Sequence, residues 1–176
     1  MKFLSPRKIS EAGSHLGWTP VPAADEAAIR SAWRSHLQPN DELRIPSPSR
    51  SWHLSVLADL PGYYQPAIVD LTYKLCIALR HCTGSGERLV VIEWQHEWHY
   101  YDPHAASAEA DTDQCPMPLL FDGDAYHIVA PDFRFGVITD WQRHGVLRVF
   151  GDDLLSALGL DAPETFLQVC GPGVVK

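Results

Sequence analysis

Residues 122–158 read DGDAYHIVAPDFRFGVITDWQRHGVLRVFGDDLLSAL, and the order of signals in this stretch decides the fold. Asp122-Gly123-Asp124 is a turn signal, because Asp side chains bond the local backbone and Gly tolerates unusual φ. Tyr126 to Ala130 then reads as a strand, Pro131-Asp132 as a break, and Phe133 to Asp140 as a second strand with Phe133, Phe135 and Val137 alternating. His144-Gly145 turns the chain into Val146 to Phe150, a third strand. Gly151-Asp152-Asp153 opens a short helix bearing Leu154, Leu155 and Leu158. Either Asp can cap the free amides at the helix start, and Gly159 is placed to end it in a left-handed conformation. Consecutive short strands flowing into a helix predict an antiparallel, hairpin-rich sheet.

Working upstream, Arg88 to Glu93 reads as a strand whose LVVIE is a β-branched apolar run without alternation, as expected of a central strand buried on both faces. It is followed by WQHEWHYYDPH, residues 94–104, the densest run of polar aromatics in the chain. Extended, this run places Glu97, His99 and Tyr101 on one face and Trp98, Tyr100 and Asp102 on the other. Before it, the spacing of Ile68, Leu71, Leu75, Cys76 and Leu79 predicts the main helix, with Pro66 in its first turn and Thr83-Gly84-Ser85-Gly86 as its stop. Ser51 to Leu57 reads as a strand and Gln38 to Arg50 as a loop. A first helix is predicted over Asp25 to Leu37 from Ile29, Ala32, Trp33 and Leu37. Residues 1–23 form a basic, Pro- and Gly-broken N-terminal arm, leaving 24–176 as a single domain. Thr165 to Cys170 is assigned to an edge strand.

The resulting expectation is an α+β fold. It has one mixed, largely antiparallel sheet of five or six strands, two main helices packed mainly on one face, and a short C-terminal helix. Leu75, Val91, Ile128, Val137 and Phe150 are expected in its core.

Composition narrows the function classes. The 22 acidic and 14 basic residues give a formal charge of -8, which argues against a nucleic-acid surface and suits a cationic partner. No apolar run approaches a membrane span and no signal peptide is visible, so a cytoplasmic location is expected. Cys76, Cys82, Cys115 and Cys170 lack metal-ligand spacing and read as thiols outside any disulfide framework.

Three constellations could carry function. His96, Glu97, His99, Asp102 and His104 are the most ligand-rich run, yet in an extended chain His96 and His99 point to opposite faces, so no metal and no cofactor is expected. Asp122, Asp124 and Asp132, with His127, would make a small acid–base enzyme if burial separated two carboxylate pKa values. The favoured reading is non-catalytic binding of a basic protein. Between Asp102 and Asp124 there are six acidic residues and no Lys or Arg, and four aromatics stand at its upstream end. The candidate contact set is Trp94, Trp98, Tyr100, Tyr101, Asp102, Asp111, Asp113, Asp122 and Asp124, an aromatic anchor with a negative rim.

The run DGDAYHIVAPDFRFGVITDW, followed by LRVFGDDLLSAL, resembles an uncharacterised bacterial family of domains of unknown function, mainly over residues 90–158. In that family an acidic-glycine turn leads a Tyr-containing strand. Asp-Phe and Phe-Gly strands follow, and a Val-Phe-Gly segment opens the closing helix. This chain departs at Ile138-Thr139-Asp140, where family members tend to carry Gly-His-Pro. The resemblance implies a bacterial origin and one compact domain, and it carries no catalytic residue across. Short acidic bacterial proteins of this kind include immunity and antitoxin partners of secreted toxins.

Overall fold

The computed structural model describes residues 17–39, 42–53, 74–93, 97–104, 126–140 and 146–161. Among them, the strands are β1 (Trp18–Pro20), β2 (Ser49–His53), β3 (Leu89–Glu93), β4 (His99–Tyr101), β5 (Tyr126–Val129), β6 (Gly136–Asp140) and β7 (Val146–Phe150). The helices are α1 (Ala23–Leu37), α2 (residues 74–82) and α3 (Asp152–Asp161). The strands form one sheet in the order β1-β4-β3-β5-β6-β7-β2, and every pairing is antiparallel. The fold is therefore α+β, with seven strands where five or six were expected. The gain comes from β1, inside the stretch assigned to the arm. Three residues give too short an alternation to read from sequence, but in the register Trp18↔Tyr101 the two rings pack at a 32° tilt with centroids 5.1 Å apart.

Cross-strand partners share a face, so the register sorts the side chains. On one face lie Tyr100, Val90, Ile92, His127, Val129, Ile138, Arg148 and Phe150. Trp33 and Leu37 of α1 close over this face in a cluster with Trp98 and Phe133. On the other face lie Tyr101, Leu89, Val91, Ile128, Val137 and Val149. There α2 packs, its Cys76 thiol sharing a 3.2 Å hydrogen bond with the Tyr101 hydroxyl. Helices thus cover both faces, a correction to the one-sided arrangement expected. The cause is the double-sided burial already visible in β3: Val90 and Ile92 need one cover, Leu89 and Val91 another. All five residues expected in the core are 0–3% exposed.

The hairpin joining β5 to β6 corrects a second expectation. Phe133 and Phe135 do not extend a strand from residue 133. Pro131 and Asp132 form the centre of a turn closed by a 2.9 Å bond from the Phe133 amide to the Ala130 carbonyl, and β6 begins at Gly136. Phe133 takes φ 59°, a conformation that costs a side-chain-bearing residue about 1 kcal/mol or more. Its ring offsets this by joining the α1 core and stacking on His36 at 4.8 Å. At the other end, α3 runs through Gly159 to Asp161 and does not stop at the glycine. The helical hydrogen bonds outweigh a capping preference there. The proposed strand at 165–170 lies outside the described residues.

Candidate functional site

Of the three constellations drawn from sequence, the acid–base set has two described members, each held by a neighbour of its own. His127 sits mid-sheet on β5 under α1 and is 4% exposed. The indole N–H of Trp33 donates to its Nδ1 at 3.0 Å, with the rings tilted at 5.6 Å. A ring nitrogen that accepts is unprotonated, so His127 is neutral at Nδ1 and its proton resides on Nε2. Asp132 lies in the exposed β5–β6 turn, where both guanidinium and backbone N–H of Arg134 donate to it at 3.0 and 3.2 Å. Partial desolvation pushes its carboxyl up, but those Arg134 bonds and charge outweigh it and hold the group below the ordinary carboxylate range. Arg134 also donates to Glu87 and, at 3.3 Å, to the Cys82 carbonyl, tying the turn to the end of α2. Glu87 in turn accepts the Gly84 amide at 3.0 Å, which with Arg134 lowers its pKa. Asp132 is a turn-binding carboxylate, low in pKa and remote in role from a general acid. Asp122 and Asp124 lie outside the described residues.

The Trp33–His127 bond carries a direct consequence. Trp33→Phe keeps an aromatic ring in the core but removes the indole N–H that donates to His127 Nδ1. Stability is expected to fall by about 0.5–1.5 kcal/mol, the net contribution of a typical intramolecular hydrogen bond. A chemical melt of the variant that matched wild type within ~0.3 kcal/mol would show the bond contributes nothing.

The aromatic run is resolved residue by residue. Trp98 is 6% exposed and Tyr101 0%, so both belong to the core, one on each face of the sheet. Extended chain alternates its side chains, and the aromatics of residues 98–101 therefore feed two interiors instead of one surface. This corrects the expectation of Trp98 as an exposed anchor. Tyr100 remains half-buried at the surface, its hydroxyl donating to Asp25 at 3.4 Å and its ring carrying the Arg88 guanidinium at 4.4 Å. Partial burial first, and then the Asp25 charge, push its phenol above the ordinary value, so it stays a neutral donor. Arg30, itself paired to Glu26 at 2.6 Å, lies 4.5 Å over the Trp98 ring.

Asp102 is half-buried at the end of β4, and its carboxylate accepts the His104 amide at 2.8 Å. His104 Nε2 lies 2.8 Å from the Thr83 carbonyl, capping the last turn of α2. Trp94, Asp111 and Asp113 lie outside the described residues, as does His96. His99 stands on the α2 face beside Trp18, and His104 is turned to α2. Among the described residues no three His, Cys, Asp or Glu side chains gather as a metal site would require, and no helix is long and apolar enough to cross a membrane.

Sequence reasoning passed over Arg148. It lies within the apolar run VLRVF, and its Nη1 is shut off from solvent on the α1 face. The signal available was the alternation itself: Val146, Arg148 and Phe150 share one face, and Phe150 is core.

A family model described as "Protein of unknown function (DUF2716)" matches residues 23–155. Among curated proteins, the "Uncharacterized protein YxiI" of Bacillus subtilis (strain 168) is 31% identical over 98 residues. That stretch is 55% of this chain and 59% of the relative, so less than two thirds of the relative's length is covered. No solved structure matches the chain. The family match reaches well upstream of residues 90–158, from the first residue of α1 through six of the seven described strands into α3, and over that extent the chain belongs to the DUF2716 family of proteins of unknown function.

Proposed function

We propose that this chain is a non-catalytic protein-binding domain, immunity- or antitoxin-like, that recognises a basic partner through residues 94–124. The observation that carries the reading is the segment from Asp102 to Asp124, which holds six carboxylates and no Lys or Arg in a chain of net charge -8. A field of one sign over a connected stretch raises the encounter rate with an oppositely charged protein and disfavours like-charged ones. Tyr100 and Asp102, at the root of that segment, supply the half-buried aromatic and the first carboxylate. Trp98 and Tyr101 support them from the two cores beneath, and Trp94, Asp111, Asp113, Asp122 and Asp124 complete the set. Residues 24–176 act as one domain, with 1–23 as an arm whose end adds β1 beside β4. Against the enzyme alternative, His127 and Asp132 are each committed to a neighbour of their own, Trp33 and Arg134.

The test is affinity capture from a lysate of the source organism at low and high salt. Wild type is expected to retain a basic protein at low salt and to release most of it at high salt, because exposed charge pairs are screened. Neutralising Asp111→Asn with Asp113→Asn should weaken capture, and Tyr100→Ala should weaken it further. Equal capture by all three proteins would rule this surface out.

A further inference from the structure

Arg148 is the described arginine whose position the fold does not explain. The residue is half-buried, and a buried guanidinium N–H lacking an acceptor is costly. Arg134 is held by Asp132, Glu87 and the Cys82 carbonyl, while Arg30 and Arg88 lie over aromatic rings. Arg148 Nη1, by contrast, is buried with no hydrogen-bond partner among the described residues. A native protein rarely leaves such a group unsatisfied, and an absent ion or small ligand is a standard resolution.

The surroundings say what kind. Arg148 faces α1 from β7, and its cross-strand partners are Ser51 on edge strand β2 and Ile138 on β6. Partners of that kind stand about 5 Å apart at Cβ, so the half-buried Ser51 side chain shares the face with the guanidinium. Val146 and Phe150, two residues away on the same strand, and Ile138 beside it are buried and apolar. The result is a forked cation with a hydroxyl next to it and apolar neighbours along its own strand and at Ile138, while the register sets His127 beyond Ile138 and Asp140 diagonally across on β6. Planar guanidinium N–H groups match the oxygens of a carboxylate or phosphate two at a time, and a hydroxyl supplies one further donor. β2 is the sheet's edge, so access needs no strand to separate.

We propose that Arg148 and Ser51 form a binding seat for a small oxyanion, carboxylate or phosphate, on the α1 face at the β2 edge of the sheet. The proposal does not rest on the binding of a basic partner proposed above.

The test is isothermal titration calorimetry of the full chain with inorganic phosphate and, separately, with acetate, at ionic strength matched with chloride. Saturable binding of either ion is expected, and whichever binds more tightly identifies the ligand class. Arg148→Met is expected to abolish it, and Ser51→Ala to weaken it by a few-fold. Arg148→Lys keeps the charge and loses the fork. It is expected to bind about tenfold more weakly, and it serves as the decisive variant if Arg148→Met does not fold. No saturable heat with either ion, or affinity in Arg148→Lys equal to wild type, overturns the proposal.

Discussion

Gly151→Ala is expected to lower stability by roughly 2–5 kcal/mol, about 1–2 from the backbone conformation and the rest from overpacking. Gly151 has φ +96°, which side-chain-bearing residues rarely adopt. A Cβ there would stand 2.5 Å from the Arg134 carbonyl oxygen and 2.6 and 2.8 Å from Cβ and Cα of Phe135. These obstacles are backbone or attached to it, so no rotamer change relieves them. The position is also a junction. The Gly151 amide donates to the Pro48 carbonyl at 3.0 Å beside β2, and its carbonyl accepts the Leu155 amide at 3.0 Å to start α3. Moving Gly151 to admit a methyl would disturb the β5–β6 hairpin, the β2 edge and the helix start together. Against a total stability of about 5–15 kcal/mol, such a loss is large. In a urea melt the midpoint should drop with the slope unchanged. A loss under ~1 kcal/mol would show that the hairpin and helix yield easily at this junction.

That junction also shows where sequence reasoning reached and where it stopped. Turn residues and alternation placed β5, β7, α1 and α3 within a few residues, because those signals are local. β3 was identified as a central strand because an unbroken apolar run implies two covers, yet the helices were still assigned mainly to one face. Periodicity says that a helix has an apolar stripe and nothing about which side of the sheet receives it. The two-sided arrangement follows only once the register puts Tyr101 beside Cys76 and His127 beside Trp33. β1 was missed because three residues carry no period. β6 was begun too early because Phe133 and Phe135 alternate in sequence, while the turn at Pro131-Asp132 and the positive φ of Phe133 belong to the hairpin.

The candidate residues divide along the same line. Their chemistry could be read from the sequence, and their partners could not. A His beside three Asp in a short stretch suggests acid–base chemistry until Trp33, 94 residues away in sequence, is found donating to it. Four aromatics within eight residues suggest a contact patch until pleating sends Trp98 to one core and Tyr101 to the other. The acidic, base-free composition of residues 102–124 needs no partner in the chain to be recognised, which is why the binding proposal rests on it.

Phe150→Ala and Gly136→Ala should be coupled, and the coupling tests the packing of the sheet under α1. Phe150 is fully buried on the α1 face, directly across from Gly136 in the β6–β7 register. Truncating it removes a large ring from a cluster that includes Trp33, Leu37, Val129 and Ile138, and should cost about 3–5 kcal/mol. Gly136→Ala in the wild type places a Cβ 2.8 Å from two atoms of the Phe150 ring and 2.8 Å from a Val129 methyl, and overpacking of this kind costs about 1–3 kcal/mol. Without the Phe150 ring, the new methyl meets only Val129 among those atoms and enters the space the ring vacated. The cost of Gly136→Ala should then shrink or change sign. The double variant is expected to lose less than the sum of the singles by about 0.5–3 kcal/mol, the range typical of residues in contact. Urea melts of the four proteins complete the cycle. Additivity within ~0.3 kcal/mol would mean that the Phe150 ring does not lie over Gly136, and with it the placement of β7 against β6 beneath α1 would fail.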